Sequence, residues 1–148
     1  MQVNLVTTFL HQNLSVIDHV HGGNQACVYV VACNDTNQRY ILKIYSRCNY
    51  HWYLNEKEVM TKLKNHAGFP QLYSSKTDSL QCELLIELLG QSLKDGLTPL
   101  MPFNVKNQRY FYSLMLQLVD HIQTLHALNY VHADLKLQNM CFDLTNRN

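Results

Sequence analysis

Neither sign of charge is in excess along this chain, whose 148 residues carry 12 Lys and Arg against 11 Asp and Glu, a formal net charge of +1. That balance removes any general electrostatic argument for a nucleic-acid partner or an anionic membrane surface. Paired cysteines are missing as well. Cys27, Cys33, Cys48, Cys82 and Cys141 are odd in number and scattered, which excludes a disulfide framework or the short paired spacings of a zinc site and points to a reducing compartment. His11, His19 and His21 have only Asp18 as a nearby carboxylate and no Cys at ligand spacing, so they are not read as metal ligands. No apolar run approaches the roughly 20 residues that cross a bilayer. The opening stretch lacks a basic leader followed by a sustained apolar segment. Internal repeats and low-complexity tracts are also absent. These absences lead to the expectation of a soluble intracellular protein, cytoplasmic or nuclear, with neither nucleic acid nor membrane as partner.

What is present is a chain that is 47% hydrophobic and long enough to bury a core. Apolar and β-branched residues are dense over 15–45 and are interrupted by Gly22-Gly23 and by Asn34-Asp35-Thr36-Asn37, which predicts three antiparallel strands joined by two turns. Residues 50–64 follow without Gly or Pro. They place Tyr53, Glu56, Met60 and Leu63 three or four apart, the spacing of a helix that Gly68 and Pro70 then close. Strands are predicted over 71–75 and 82–88, with Lys76-Thr77-Asp78-Ser79 as the turn between them. The strongest period covers 107–128, where Phe111, Leu114, Leu118, Ile122 and Leu125 share one face of a long core-facing helix. Residues 98–104, with Pro99 and Pro102, read as a loop. Strands with one helix, then mostly helix, predict an α+β chain in two lobes of different class, with a boundary near 89–92.

The most informative run is Val131-His132-Ala133-Asp134-Leu135-Lys136-Leu137-Gln138-Asn139, placed just after the long helix. It resembles the catalytic loop H-R-D-L-x-x-x-N of protein kinases. Further matches come in the family's order. Lys43, within Arg39-Tyr40-Ile41-Leu42-Lys43-Ile44, is similar to the strand Lys of V-A-I-K, and Glu56, thirteen residues on, stands in the place of the helix carboxylate that pairs with it. His21-Gly22-Gly23-Asn24-Gln25-Ala26-Cys27-Val28 lies under the pattern G-x-G-x-x-G-x-V, with Gly23 and Val28 matching and His21 and Ala26 replacing the outer glycines. Glu87-Leu88-Leu89-Gly90-Gln91-Ser92-Leu93-Lys94-Asp95 resembles the hinge run E-L-L-G-x-S-L-x-D of casein kinase 1 proteins.

The resemblance implies a serine/threonine protein kinase that moves the γ-phosphate of ATP, with Mg2+, to a hydroxyl of a protein substrate. Asp134 would accept the hydroxyl proton, Lys136 would contact the transferred phosphate, and Asn139 would bind the metal. Lys43 would reach the α- and β-phosphates while held by Glu56, and Gly22 and Gly23 would let the backbone approach them. Val20, Val28 and Ile41 would line the adenine slot, Ile86 would stand at its back, and the backbone of Glu87 and Leu89 would bond the base. The implied fold is protein-kinase-like. A complete N-terminal lobe of five antiparallel strands plus a helix spans about 14–89, and 90–148 forms the hinge and the first part of a helical C-terminal lobe. No Asp-Phe-Gly follows Asn139, so the chain is expected to stop short of the full fold, to dissolve poorly alone and to transfer negligible phosphate by itself. A partner is expected over the exposed face of the long helix. Ala133 replaces the Arg of most relatives, which implies activity independent of activation-loop phosphorylation. A small residue there is also similar to the H-G-D of small-molecule phosphotransferases. A kinase-like binding module without catalysis is the other reading, favoured by the altered glycine loop.

Overall fold

The computed structural model describes residues 7–9, 12–20, 25–98 and 105–144. His11, His21, Gly22, Gly23 and the loop residues 99–104 lie outside the described residues. The chain divides into two compact units, one comprising Met1–Asn65 and Phe69–Leu88, the other His66–Gly68 and Leu89–Asn148.

The first unit is a six-stranded antiparallel sheet with one helix. Strands β1 (Thr7–Phe9), β2 (Gln12–Val20), β3 (Cys27–Cys33), β4 (Arg39–Ser46), β5 (Leu72–Thr77) and β6 (Gln81–Glu87) lie in the order β1-β2-β3-β4-β6-β5, and helix α1 spans Tyr50–Lys62. The five strands and the helix expected from the sequence are there. The short edge strand β1 is an addition, paired through Thr7 with Leu14. One predicted turn moves. Lys76 and Thr77 belong to β5, opposite Glu83 and Cys82, because Asp78 closes the turn one step later: its Oδ1 accepts the amides of Leu80 at 2.8 Å and Gln81 at 2.9 Å.

Period-two alternation sorts the strand residues onto two faces. One face gathers Leu14, Val31, Cys33, Tyr40, Leu42 and Leu85 into a buried cluster. The other buries Tyr45, Cys82, Leu84 and Ile86 against Tyr53 and Met60 of α1. The i, i+3, i+7 spacing of Tyr53, Glu56 and Met60 turns all three toward the sheet, and Glu56 is the half-buried member.

The second unit contains the short helix α2 (Leu93–Leu97) and the long helix α3 (Val105–Ala127). Ser92 caps α2: its Oγ accepts the Asp95 amide at 3.2 Å and donates to Asp95 Oδ2 at 2.6 Å, which gives the Ser and Asp of that run a role at the helix start. The inner face of α3 is the one its period predicts, with Leu125 buried and Phe111, Leu114, Leu118 and Ile122 half-buried. The exposed apolar side chains lie elsewhere on the helix, at Tyr110, Tyr112, Met115, Leu116 and Val119. Asn129 ends α3 in the left-handed region (φ 62), with its own amide on the His126 carbonyl at 2.9 Å and the Tyr130 amide on that of Leu125 at 3.0 Å, a Schellman closure. Gly68 (φ 86) packs so closely on the His121 ring that a Cβ there would overlap it. No helix among the described residues is long and apolar enough to cross a membrane.

Candidate active site

Strand β4 carries the charged centre of the first unit. Lys43 faces α1, and its Nζ lies 2.5 Å from Glu56 Oε1, with both side chains about three-tenths exposed (27% and 30%). A pair this accessible keeps water on one side, so the ammonium remains reachable by an anionic ligand while the carboxylate fixes its position. Tyr45, two residues along the strand and therefore on the same face, donates its hydroxyl to the second oxygen, Glu56 Oε2. Its ring is 2% exposed and meets Tyr53 edge to face at 5.9 Å. Burial, then the neighbouring Glu56 charge and the hydrogen bond to it, push the Tyr45 hydroxyl far above the usual tyrosine range. Sequence reasoning missed Tyr45. The only signal available was a Tyr two places after the strand Lys, and that pattern reads equally as an ordinary buried aromatic.

Register places the candidate apolar residues around that centre. Val20 pairs with Val28, Val28 with Lys43, and Ile41 with Ile86, and directly opposed residues of antiparallel strands project from the same face. Ile86 is buried, Val28 and Ile41 are half-buried, and Val20 is 43% exposed. Val30, opposite Ile41, and Leu84, opposite Lys43, share this face and were not singled out from sequence. Just before β3, the Gln25 carbonyl accepts Asn49 Nδ2 at 2.8 Å, beside the start of α1.

At the end of β6, the Glu87 amide donates to the Gln71 carbonyl at 2.9 Å and its carboxylate accepts the Gln71 amide at 3.0 Å. That amide is therefore committed within the unit. Leu89 belongs to the second unit, where it is half-buried. Beyond it the Gly90 amide bonds the Phe142 carbonyl at 2.7 Å, the Phe142 amide bonds that of Gln91 at 3.1 Å, and Ser92 bridges Cys141 antiparallel. A side chain at Gly90 would bring its Cβ to 2.9 Å from the Phe142 carbonyl oxygen, so the close backbone approach requires glycine.

The second unit also carries the polar loop 131–139, every residue of which is exposed. Its sharp bend is at Ala133 (φ 60), where the Asp134 amide returns to the His132 carbonyl at 2.9 Å, a three-residue turn with its central residue in the left-handed region. The bend presents the Asp134 carboxylate. Lys136 Nζ lies 2.8 Å from Asp134 Oδ2, and Asn139 Nδ2 donates to the same oxygen at 2.8 Å and to the Asp134 carbonyl at 2.9 Å. The hydrogen bond from Lys136, then that from Asn139, hold the Asp134 carboxyl below the usual carboxylate range. Asp134 is thus an ionised acceptor at neutral pH. With the Asn139 nitrogen turned to Asp134, its amide oxygen is the atom left for a hard cation, a donor type that suits magnesium.

Comparison with known proteins gives this geometry a context. Residues 14–148 match the protein kinase domain family. The serine/threonine-protein kinase ksg1 of Schizosaccharomyces pombe is 27% identical over 128 residues, covering 82% of this chain and 21% of that protein. A Dictyostelium discoideum protein named "probable serine/threonine-protein kinase" is 25% identical over 134 residues, covering 86% of this chain and 10% of its own length. The chain therefore spans about a fifth or less of these relatives. With the match running from within β2 past the polar loop, the chain belongs to the protein kinase domain family.

Proposed function

We propose that this chain is part of a serine/threonine protein kinase of casein kinase 1 type, which transfers the γ-phosphoryl group of ATP to a Ser or Thr hydroxyl of a protein. The observation that carries the reading is the Asp134 carboxylate held between Lys136 and Asn139. Phosphoryl transfer asks a protein chiefly to aim the nucleophile and neutralise charge. Asp134 orients the substrate hydroxyl and takes its proton as the hydroxyl oxygen bonds to the γ-phosphorus and the bond to the β,γ-bridging oxygen breaks. Lys136 balances Asp134 in the free chain and turns to the phosphate oxygens when they arrive. Asn139 would hold the magnesium ion, which supplies neutralising charge for the phosphates when bound.

In the first unit, Lys43 meets the α- and β-phosphates with Glu56 fixing it, and Val20, Val28, Ile41 and Ile86 form the apolar wall for adenine. Gly22 and Gly23 admit the phosphates to the backbone, and Glu87 and Leu89 bond the base. Because the Glu87 amide is already bonded to Gln71, Glu87 acts through its carbonyl and Leu89 through its amide. The casein kinase 1 assignment rests on the run 87–95, whose Ser92 and Asp95 cap α2. The exposed apolar side chains Tyr112, Met115, Leu116 and Val119 mark where a covering protein segment would sit.

The test is transfer from γ-labelled ATP by the full-length gene product to Ser, Thr and Tyr peptides and to small alcohols such as choline. Loss of Ser/Thr phosphorylation in D134N and K43M supports the reading. Undiminished transfer in D134N rules it out, and labelling of the small alcohols alone selects the small-molecule phosphotransferase instead. Binding without transfer in the wild type selects the regulatory module, for which the His21 substitution is the favouring observation.

A further inference from the structure

The pairing of a strand Lys with a helix Glu leaves one carboxylate oxygen without a role, and in this chain a third residue occupies it. Tyr45 Oη donates to Glu56 Oε2 while Lys43 Nζ holds Oε1. The two donors come from the same face of β4, and the acceptor is a single side chain on α1. Tyr45 itself cannot shift easily. Its ring is 2% exposed, lies in the cluster with Tyr53, Cys82, Leu84 and Ile86, and leans edge to face on Tyr53, which in turn stacks on Tyr50 at 5.8 Å. Tyr53 is further tied to β5, because its hydroxyl accepts from Thr77 Oγ1 at 3.0 Å.

We infer that Tyr45 is a positioning residue: its buried hydroxyl anchors Glu56 to the core of the sheet and so holds Lys43 in place before any phosphate arrives. A hydroxyl buried this deeply needs a partner, and the carboxylate is the strongest acceptor within its reach. A carboxylate bound from the core side has less freedom to swing out with α1, so the ammonium it holds is preorganised for a phosphate-bearing ligand. The consequence for ligand affinity rests on the nucleotide-binding reading above; the anchoring of Glu56 does not.

The test separates the two. Tyr45→Phe keeps the ring and removes only the hydroxyl. Affinities of the wild type and Y45F are measured for ATP and for adenosine, which lacks phosphates. ATP binding should weaken about three- to tenfold, the range of one typical hydrogen bond's net contribution, with adenosine binding unchanged. Equal weakening of both ligands, or of neither, overturns the positioning role. A double-mutant cycle of Tyr45→Phe with Glu56→Ala in urea unfolding gives a readout independent of ligand. Coupling of at least about threefold in the unfolding constant is expected, and additive effects overturn the anchor. If the wild type binds no ATP, the nucleotide reading fails and the cycle alone decides on Tyr45.

Discussion

Asn139 uses one amide nitrogen to bond both the carboxylate and the main-chain carbonyl of Asp134, at 2.8 and 2.9 Å. The loop between them is closed by its own two ends. The negative charge at Asp134 is therefore set locally, by groups within five residues.

Titration of the Asp134 carboxyl, followed by carbon NMR, should show it below the usual range in the wild type and raised in K136A and in N139A. The larger rise belongs to K136A, because Lys136 is the larger cause of the depression. The folded carboxyl lies below its unfolded counterpart. The loop's contribution to stability is thus complete above the ordinary carboxylate value of about 4 and is lost as the pH falls through the depressed native value. A wild-type carboxyl that titrates like the variants would refute this account.

At alkaline pH the sign reverses, and the group is Tyr45. Its folded hydroxyl stays protonated beyond the point where an unfolded tyrosine ionises, so stability is complete below about pH 10 and falls as the pH rises above it. Tyr45→Phe should flatten that alkaline limb in urea titrations run at stepped pH. An unchanged limb would show that some other group sets it.

Gly68→Ala should destabilise the second unit by roughly 2–4 kcal/mol, combining an L side chain at positive φ with overpacking on the His121 ring. In the H121A background the clash is gone and only the backbone penalty remains, so the added cost of G68A should fall. Thermal unfolding of the four variants checks this, and equal costs in both backgrounds would remove His121 from the explanation.

The left-handed bends at Ala133 and Asn129 make matching predictions. Ala133→Gly should stabilise by up to about 1 kcal/mol and Ala133→Val should destabilise by about 1–2, because the β-branched side chain suits positive φ least. Asn129→Ala should cost roughly 1 kcal/mol at the end of α3, and Asn129→Gly little or nothing. Urea midpoints of the four proteins decide it.

The parts of the fold legible in sequence were those whose signal is local and periodic. The face of α3 from Phe111 to Leu125, the face of α1 through Tyr53 and Met60, and five of the six strands were each visible as spacing. Strand β1 was not, because three residues carry no alternation of their own and its existence depends on pairing with Leu14, Asn13 and Gln12. The turn at Asp78 was placed too early because Lys76 and Thr77 are polar. Their β structure comes from the partners Glu83 and Cys82, which composition does not show. In the candidate site, motif order singles out Lys43, Glu56, Asp134 and Asn139. Tyr45, Val30 and Leu84 enter only through register, and the Ser92 to Cys141 bridge only through chain reversal, neither of which is written in any short stretch.

Strand β4 interleaves two tasks in a single run of letters. Tyr40 and Leu42 serve one core, while Ile41, Lys43 and Tyr45 serve the opposite face. The two sets are one residue out of phase, so deleting or inserting one residue within 39–46 exchanges their destinations. Such a frameshift sends a lysine into the apolar cluster and strands Glu56 without its ammonium. The same change in the preceding turn, 34–37, removes no side chain of either core and falls on exposed residues, where what is lost is the turn's own bonds, such as that of the Asn37 amide to the Cys33 carbonyl at 2.8 Å. A scan of single-residue deletions across 34–46 would therefore mark the strand's edges more sharply than any substitution series.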